Sequence, residues 1–330
     1  MADTVAAVVV AFNRKVLLAE CLRGLLQQTH PVDAVFVIDN ASTDGTETFL
    51  SEVGLLAEPK IRYTVLTKNI GGAGGFAMGM EAAFSAGYAW IWFMDDDAEP
   101  FADALERFLS FMQDKETGAL ANLKLDTNGN VLRYHLGSIQ WRSSLDLVCP
   151  LAHESTSVSD RIPVEFSSFI GLLIRRESIA KVGFPRREFF IHCDDFEYSV
   201  RLLAVGRIFL IPSSKILHKE KISAPSLEKH WGSSTYRCVP IEKYAFEFFG
   251  IRNRFWTLLH HSTEAKFMRH VRVARDLAGM AVRIVLYERD YRFLRLQLLT
   301  RGAVDALQGR FNNSIPFDTR SRLDRTRERA

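Results

Sequence analysis

The sequence is poor in the features that mark secreted, membrane-spanning and zinc-stapled proteins. Its 330 residues hold four cysteines, Cys21, Cys149, Cys193 and Cys238, far apart and with no C-x-x-C pair. That spacing argues against a zinc knuckle or a disulfide framework and fits a reducing compartment. No run reaches the roughly 18 uncharged apolar residues of a spanning helix. Met1 to Val5 lacks the basic region, apolar core and cleavage site of a signal peptide, so a cytoplasmic protein is expected. There is no internal repeat and no low-complexity linker. A G-x-G-x-x-G after the first strand and a P-loop Gly-Lys-Ser/Thr are both missing, which removes the usual dinucleotide and NTPase fingerprints.

What is present is an ordinary globular composition, 47% hydrophobic and 25% charged, in a chain long enough for one large core plus an appendage. Val5 to Ala11 is wholly apolar, as in a strand buried on both faces. Leu17, Leu18, Cys21, Leu22, Leu25 and Leu26 follow at helical spacing. Val35–Ile38 and Tyr63–Leu66 read as further strands, with a helix from about Thr46 to Leu56 between them. The stretch Asn69–Gly75 opens the next helix, which extends to about Ala86, and Trp90–Met94 reads as the next strand. Strand alternating with helix at this spacing predicts a doubly wound, Rossmann-like α/β sheet, mostly parallel.

Beyond residue 115 the spacing predicts a strand at Leu120–Leu125, a turn at Asn128–Asn130, a strand pair or ribbon over Val131–Trp141 and a polar loop able to move over Ser143–Ile162. Core strands are expected at Phe166–Ile174 and, last, at Phe209–Pro212. A helix runs from the acids at 194–195, one of which should cap it, to Gly206.

Polar residues gather where strands end. Asn13-Arg14, Asp39, Asn69 with its glycines, Asp95-Asp96-Asp97, Asp194-Asp195 and His218 all follow apolar runs. In open α/β sheets, ligands sit beyond the carboxyl ends of the strands. Three adjacent acids repel one another, and a divalent cation would relieve them; a solvated acidic loop or a helix N-terminus is the alternative. Carboxylates plus a histidine suit Mn²⁺ or Mg²⁺, and a separate acid suits a general base. The glycines at 71–75 either let backbone N–H groups approach a phosphate at a helix N-terminus or form a hinge packed on a strand.

In this order, Phe12-Asn13-Arg14, Gln27-Gln28-Thr29, Val37 to Thr46, Asn69 to Gly75, Asp95-Asp96-Asp97 and Asp194-Asp195-Phe196-Glu197 resemble the inverting glycosyltransferases of family 2 with the GT-A fold, over roughly residues 5–220. The glycines, the triple Asp and the Asp194-Asp195 pair followed by His218 look most like bacterial galactofuranosyltransferases, with rhamnosyltransferases next. The resemblance implies Asp95, Asp97 and His218 as metal ligands and Asp195, beside Asp194, as catalytic base. It implies Phe12, Arg14, Asp39, Asn69, Gly71, Gly72 and Asp96 around a nucleotide sugar. Asp194 departs from the family, where Glu is usual. The implied donor is UDP-galactofuranose, with dTDP-rhamnose as runner-up. The implied acceptor is a glycan hydroxyl, lipid-linked or free, in cell-surface polysaccharide synthesis. A nucleotidyltransferase or a non-catalytic carbohydrate-binding protein on the same sheet are the competing readings, and no nucleic-acid partner is expected.

The expected catalytic domain spans 1–225, followed over 226–330 by a helical, basic region. Residues 260–330 hold 15 Lys and Arg against 8 Asp and Glu. Arg269, Arg272, Arg275, Arg283, Arg289, Arg292 and Arg295 lie among Phe267, Val271, Leu286, Tyr287, Phe293 and Leu294. That mixture suits peripheral attachment to a membrane surface, a homo-oligomer contact, or helices that only pack.

Overall fold

The computed structural model describes residues 4–142, 146–152, 159–219, 227–231, 234–238, 240–288 and 290–313. It divides into two compact units, Met1–Ile139 with Val148–Phe190 and Asp194–Glu220, and Gln140–Leu147 with Ile191–Cys193 and Lys221–Ala330.

In the first unit, β1 (Val5–Ala11), α1 (Lys15–Leu26), β2 (Ala34–Asp39), α2 (Thr46–Glu52), β3 (Ile61–Val65), α3 (Gly71–Ser85) and β4 (Trp90–Asp95) alternate as the apolar pattern predicts. After them come β5 (Ala98–Pro100), α4 (Leu109–Met112), β6 (Thr117–Leu125), β7 (Leu136–Ile139), β8 (Val148–Pro150), β9 (Ile162–Val164), β10 (Phe166–Ser167), β11 (Leu172–Arg175), α5 (Arg176–Val182), α6 (Asp194–Leu203) and β12 (Arg207–His218). The main sheet runs β3-β2-β1-β4-β11-β6-β12-β5, with β9 also on β12. Strands β3 to β4 are parallel, as expected. β11 is the exception inside the sheet, antiparallel to both β4 and β6. No crossover helix precedes it, so nothing obliges it to run parallel.

Alternation along β1 divides the core. Val5, Ala7 and Val9 face Leu18, Leu22, Leu25, Trp92 and Met94. Ala6, Val8 and Val10 face Phe76, Met80, Phe93 and Tyr198. Both layers exclude water, which is why the strand carries no polar residue at either parity. α3 lies unusually close to β1. A Cβ at Gly75 would fall 2.6 Å from Val10 Cγ1, and one at Gly79 2.3 Å from Val8 Cγ1.

The middle of the chain departs from its sequence reading in several places. Phe166–Ile174 is two strands, β10 and β11, because Gly171 turns the chain with φ 67° where a side chain would meet Ile216 and Asn122. Within the ribbon expected over Val131–Trp141, only β7 is regular, and its partners are β8 and β10. Of the loop expected over 143–162, residues 148–150 form β8, whereas 143–145 and 153–158 lie outside the described residues. The strand expected at Phe209–Pro212 continues to His218, with its register shifting between Ile211 and Lys215. Neither Asp194 nor Asp195 precedes α6 as a cap; the helix starts at Asp194 and both acids sit in its first turn.

The second unit opens with a hairpin, β13 (Leu227–Trp231) and β14 (Ser234–Cys238), where only helices were expected. Then come α7 (Ile241–His261), α8 (Lys266–Tyr287) and α9 (Arg292–Gln308). Gly302 of α9 fits against Ile251 and the Phe248 carbonyl of α7. Several arginines expected on a basic face are instead used internally. Arg295 is buried against Asp290 and Tyr244, Arg269 donates to the Leu259 carbonyl at 2.8 Å, and Arg272 pairs with Glu264. Arg275 pairs with Asp276 at 2.7 Å yet stays exposed, as do Arg283 and Arg292; Arg289 lies outside the described residues. Alongside exposed Lys266, Arg283 and Arg292, α8 and α9 expose apolar side chains, including Phe267, Val271, Val282, Leu286 and Phe293. Among the described residues, no helix is long and apolar enough to cross a membrane.

Two glycine substitutions separate propensity from packing. Gly79→Ala gains up to about 1 kcal/mol of helix propensity but overpacks Val8, which costs about 1–3 kcal/mol. Net destabilisation is expected in denaturant unfolding, and the double variant with Val8→Ala should lose less than the two single losses combined. Gly279→Ala in α8, with open space around its Cβ, should stabilise by up to about 1 kcal/mol. A stable Gly79→Ala protein would show that α3 can move off β1.

Candidate active site

Four parallel strands end together and deliver most of the residues singled out from the sequence. After β1, Asn13 turns with φ 55°, donates its backbone N–H to Ser42 Oγ at 2.9 Å and accepts from the Thr43 N–H at 2.7 Å through Oδ1. The β1 and β2 loops are thereby stapled. Phe12 remains 43% exposed, so its ring is available to a planar ligand. Asp39, the last residue of β2 and almost fully buried, accepts from the Ser42 N–H at 2.7 Å and from the Tyr63 hydroxyl. Burial and this bond push the Tyr63 hydroxyl pKa well up, so it stays a donor.

Of the two roles weighed for the glycine stretch, the structure displays the packed one, with Gly75 and Gly79 against β1. Gly71 has φ 79°, and a Cβ there would lie 2.0 Å from the Phe190 carbonyl oxygen. Only glycine fits. Its N–H is held by Asn69 Oδ1 at 2.7 Å, its carbonyl by Asn40 Nδ2 at 2.9 Å, and the Ala73 N–H goes to Phe190 O at 3.1 Å. These protein acceptors already use part of the helix N-terminus. Gly72 faces open space, and Gly75 and Gly79 serve packing. Asn69 itself is exposed, its Oδ1 turned to the start of α3.

Asp95, Asp96 and Asp97 make the turn from β4 to β5, and each takes a different direction. Asp96 accepts from the Phe12 N–H at 3.0 Å and from Arg14 Nη1 at 3.2 Å. Arg14 also bridges to Asp97. The pairing of β5 with β12 sets His218 opposite Ala98. His218 Nε2 then lies 3.1 Å from Asp97 Oδ1, and both groups are buried. One ligand atom from each of Asp95, Asp97 and His218 falls within 4.8 Å of the others.

The charges explain what such a cluster needs. Burial, then Asp97 and Asp96, push the Asp95 pKa up to about 8; burial pushes Asp96 to about 6, against its bonds from Phe12 and Arg14. For Asp97 burial is outweighed by His218 and Arg14, so its pKa lies below the usual range. Three carboxylates with one guanidinium cannot all ionise here without a further positive charge. Two hard carboxylate oxygens and an imidazole nitrogen, largely buried together and short of positive charge, fit a divalent cation.

Asp194 and Asp195 open α6, where the helix dipole favours acids. Asp194 is buried, and its pKa is driven far up by burial and by Asp195. Asp195 is partly exposed; burial raises it to about 6, and its Oδ1 accepts the Phe196 N–H at 2.7 Å. A carboxylate near this value can take a proton at neutral pH. Glu197 of the same motif is fully buried and engaged by Arg186 and Arg201, so it braces the helix. Before α6, Phe190, His192 and Cys193 have φ of 65–67°, a concentration of left-handed non-glycine residues of the kind found at functional sites.

Two neighbours carried no assignment in the sequence. Lys124, fully buried on β6, donates to Ser167 Oγ at 2.7 Å. His135 meets Ser168 Oγ at 3.0 Å through Nδ1, and its ring centroid is 5.3 Å from that of His218. Burial lowers His135 to about 3, keeping it neutral. The available signal was a lysine inside an apolar strand, since Ala119 to Leu123 is otherwise free of charge.

Comparison with known proteins agrees with this arrangement. The family model described as "Glycosyl transferase family 2" matches residues 6–183. Galactofuranosyltransferase GlfT1 of Mycolicibacterium smegmatis is 31% identical over 212 residues, covering 63% of this chain and 68% of that protein. Among solved structures, Staphylococcus aureus TarS 1–349 superposes with a TM-score of 0.55 at 13% identity, covering 93% of this chain and 82% of that one. The mannosyltransferase PcManGT from Pyrobaculum calidifontis, in complex with GDP-Man and Mn²⁺, gives 0.53 at 16% identity, covering 92% and 86%. The last two speak for the GT-A fold. With the family model spanning more than half of its residues, the chain belongs to glycosyl transferase family 2 and is a glycosyltransferase.

Proposed function

We propose that this enzyme transfers galactofuranose from UDP-galactofuranose to a hydroxyl of a glycan acceptor, with inversion at the anomeric carbon and with Mn²⁺ or Mg²⁺ bound. The observation that carries the reading is the separation of two acidic groups. Asp95 and Asp97 converge with His218, while Asp195 stands apart at the start of α6 with a pKa near neutrality. The sugar is supported by the similarity to GlfT1, named a galactofuranosyltransferase; the metal is supported by the donor set and by Mn²⁺ in PcManGT.

Asp95, Asp97 and His218 would hold the cation, which when bound supplies positive charge against the departing diphosphate. Phe12 and Asp39 are suited to the base and ribose. Arg14, held by Asp96 and Asp97, keeps a cation at the mouth of the site. The acceptor oxygen attacks the anomeric carbon as the bond to UDP breaks, and Asp195 takes the hydroxyl proton. One displacement leaves the configuration inverted and needs no covalent intermediate. The exposed apolar side chains of α8 and α9, with exposed Lys266, Arg275, Arg283 and Arg292 among them, support a lipid-linked acceptor met at a membrane surface.

Asp195→Asn should bind UDP-sugar normally but turn over about 10²–10⁴-fold more slowly. Retention of more than about a tenth of the activity would shift the base to Asp194.

The cation reading has a pH signature independent of turnover. A carboxyl whose folded pKa is raised binds protons in the native state that the unfolded chain releases, so it contributes stability at low pH and loses it as pH rises toward the folded value. Asp95, at about 8, therefore makes the metal-free protein less stable as pH rises from about 4 to 8. Mn²⁺ should raise the melting temperature more at pH 8 than at pH 5, and Asp97→Ala should abolish that gain. An equal gain in the variant would place the ion elsewhere.

For the donor, UDP-galactofuranose should be consumed faster than dTDP-rhamnose in a panel of nucleotide sugars. Faster release of dTDP would reverse the assignment.

A further inference from the structure

The backbone just ahead of α6 takes an unusual course. Phe190, His192 and Cys193 all have positive φ, at 65°, 67° and 66°. L side chains rarely adopt such conformations, which persist only where the surroundings over-determine them. Phe190 is held within the catalytic unit: its carbonyl accepts the Ala73 N–H at 3.1 Å, and a Cβ at Gly71 would lie 2.0 Å from it. Ile191–Cys193 belong instead with the second unit, and there α7 holds them.

The grip is a single carboxamide. Asn253 Nδ2 lies 3.0 Å from the Ile191 carbonyl and 2.8 Å from the His192 carbonyl, two acceptors for the two donors of an amide NH2. Asn253 Oδ1 accepts Arg252 Nε at 3.0 Å, so the partners decide which way the amide points. Arg252 is itself fully buried, against the Phe311 ring at 5.0 Å and donating to Asn313 Oδ1 at 3.0 Å. One turn on, Thr257 Oγ1 meets Cys193 Sγ at 3.8 Å. Asn253 and Thr257 are four apart and both fully buried, so one face of α7 seats the segment. An apolar side chain could fill the place of Asn253, but it would leave two carbonyls turned toward the helix without these donors.

The residue after Cys193 is Asp194, so the tie to the catalytic acids is covalent. The backbone angles of 191–193 set the direction in which α6 starts, and its first turn carries Asp195.

We propose that Asn253 is a positioning residue for the base. By holding the Ile191 and His192 carbonyls it fixes the left-handed segment from which α6 departs, and so aims the Asp195 carboxylate at the acceptor hydroxyl. The proposal rests on the reading of Asp195 as base given above.

The test is steady-state kinetics of the full-length enzyme with UDP binding measured beside it. Asn253→Ala removes both donors; Asn253→Asp removes them at the same size and keeps an oxygen facing Arg252. Either should lower kcat about 10–100-fold, the effect of roughly 1 Å of misplacement at a reacting group, with UDP affinity unchanged. Asn253→Gln keeps both N–H groups on a longer stem and should recover part of the rate. Ile251→Ala is the control for loosened helices, because Ile251 is buried against Gly302 of α9. It should lower the melting temperature and leave kcat of the folded enzyme as it was. In the Asp195→Asn background, Asn253→Ala should cost little further rate, since both act on one proton transfer. If Asn253→Ala does not fold, the Asp and Gln variants carry the comparison. Unchanged kcat in the Asn253 variants that fold, an equal kcat loss in Ile251→Ala, or a full further loss beside Asp195→Asn overturns the proposal. If Asp195→Asn is crippled while the Asn253 variants turn over normally, only the role of Asn253 fails. If Asp195→Asn stays active, the base assignment fails and this inference with it.

Discussion

The constraint on which this structure turns is repulsion between carboxylates in a place with little water. Five aspartates, Asp95 to Asp97 and Asp194 to Asp195, are held at strand and helix ends with their charges largely desolvated. Each cationic group near them answers that problem. Arg14 bridges Asp96 and Asp97, and His218 approaches Asp97. The protein's own cations fall short of the full negative charge, and a site short of positive charge is what a metal ion and its anionic ligand require. The proposed reaction draws on the same imbalance. The group that ionises near neutrality is ready to accept a proton without the site having to reorganise.

The sheet makes this crowding tolerable because its rigidity lies elsewhere. Strand β1 buries side chains on both faces, α3 presses its glycines onto Val8 and Val10, and Trp92 donates through its indole N–H to Asn122 at 2.9 Å. None of those contacts involves the acids. The apolar layers thus supply stability against which the strained turns at Asn13, Phe190 and His192 and the repulsive cluster can be maintained.

Much of this was legible in residue order. The apolar runs and helical spacings marked β1 to β4 and α1 to α3, and polar residues at their ends marked the site. That works because each parallel strand is buried on both sides and must break sharply where the polar loop begins. Features that depend on long-range pairing were not legible. The reversed direction of β11 follows from its neighbours β4 and β6, not from Leu172–Arg175. The hairpin β13–β14 sits in a stretch without a clean alternating pattern. Lys124 looks like an interruption in a strand until Ser167 is beside it. Arg295 read as part of a basic surface because composition cannot tell a solvated guanidinium, such as that of Arg283, from one buried against Asp290.

The pairing of β5 with β12 has a consequence for how the protein comes into being. Asp97 and His218 are over a hundred residues apart in the chain, yet they meet through a three-residue strand opposite the last residues of β12. A chain emerging from the ribosome exposes all three aspartates long before the histidine exists. The alternating N-terminal part can collapse around its own apolar layers, but this contact must wait for a loop closure of high entropy cost. The centre is thus completed late, and a nascent chain halted before β12 would carry the acids with no imidazole to join them.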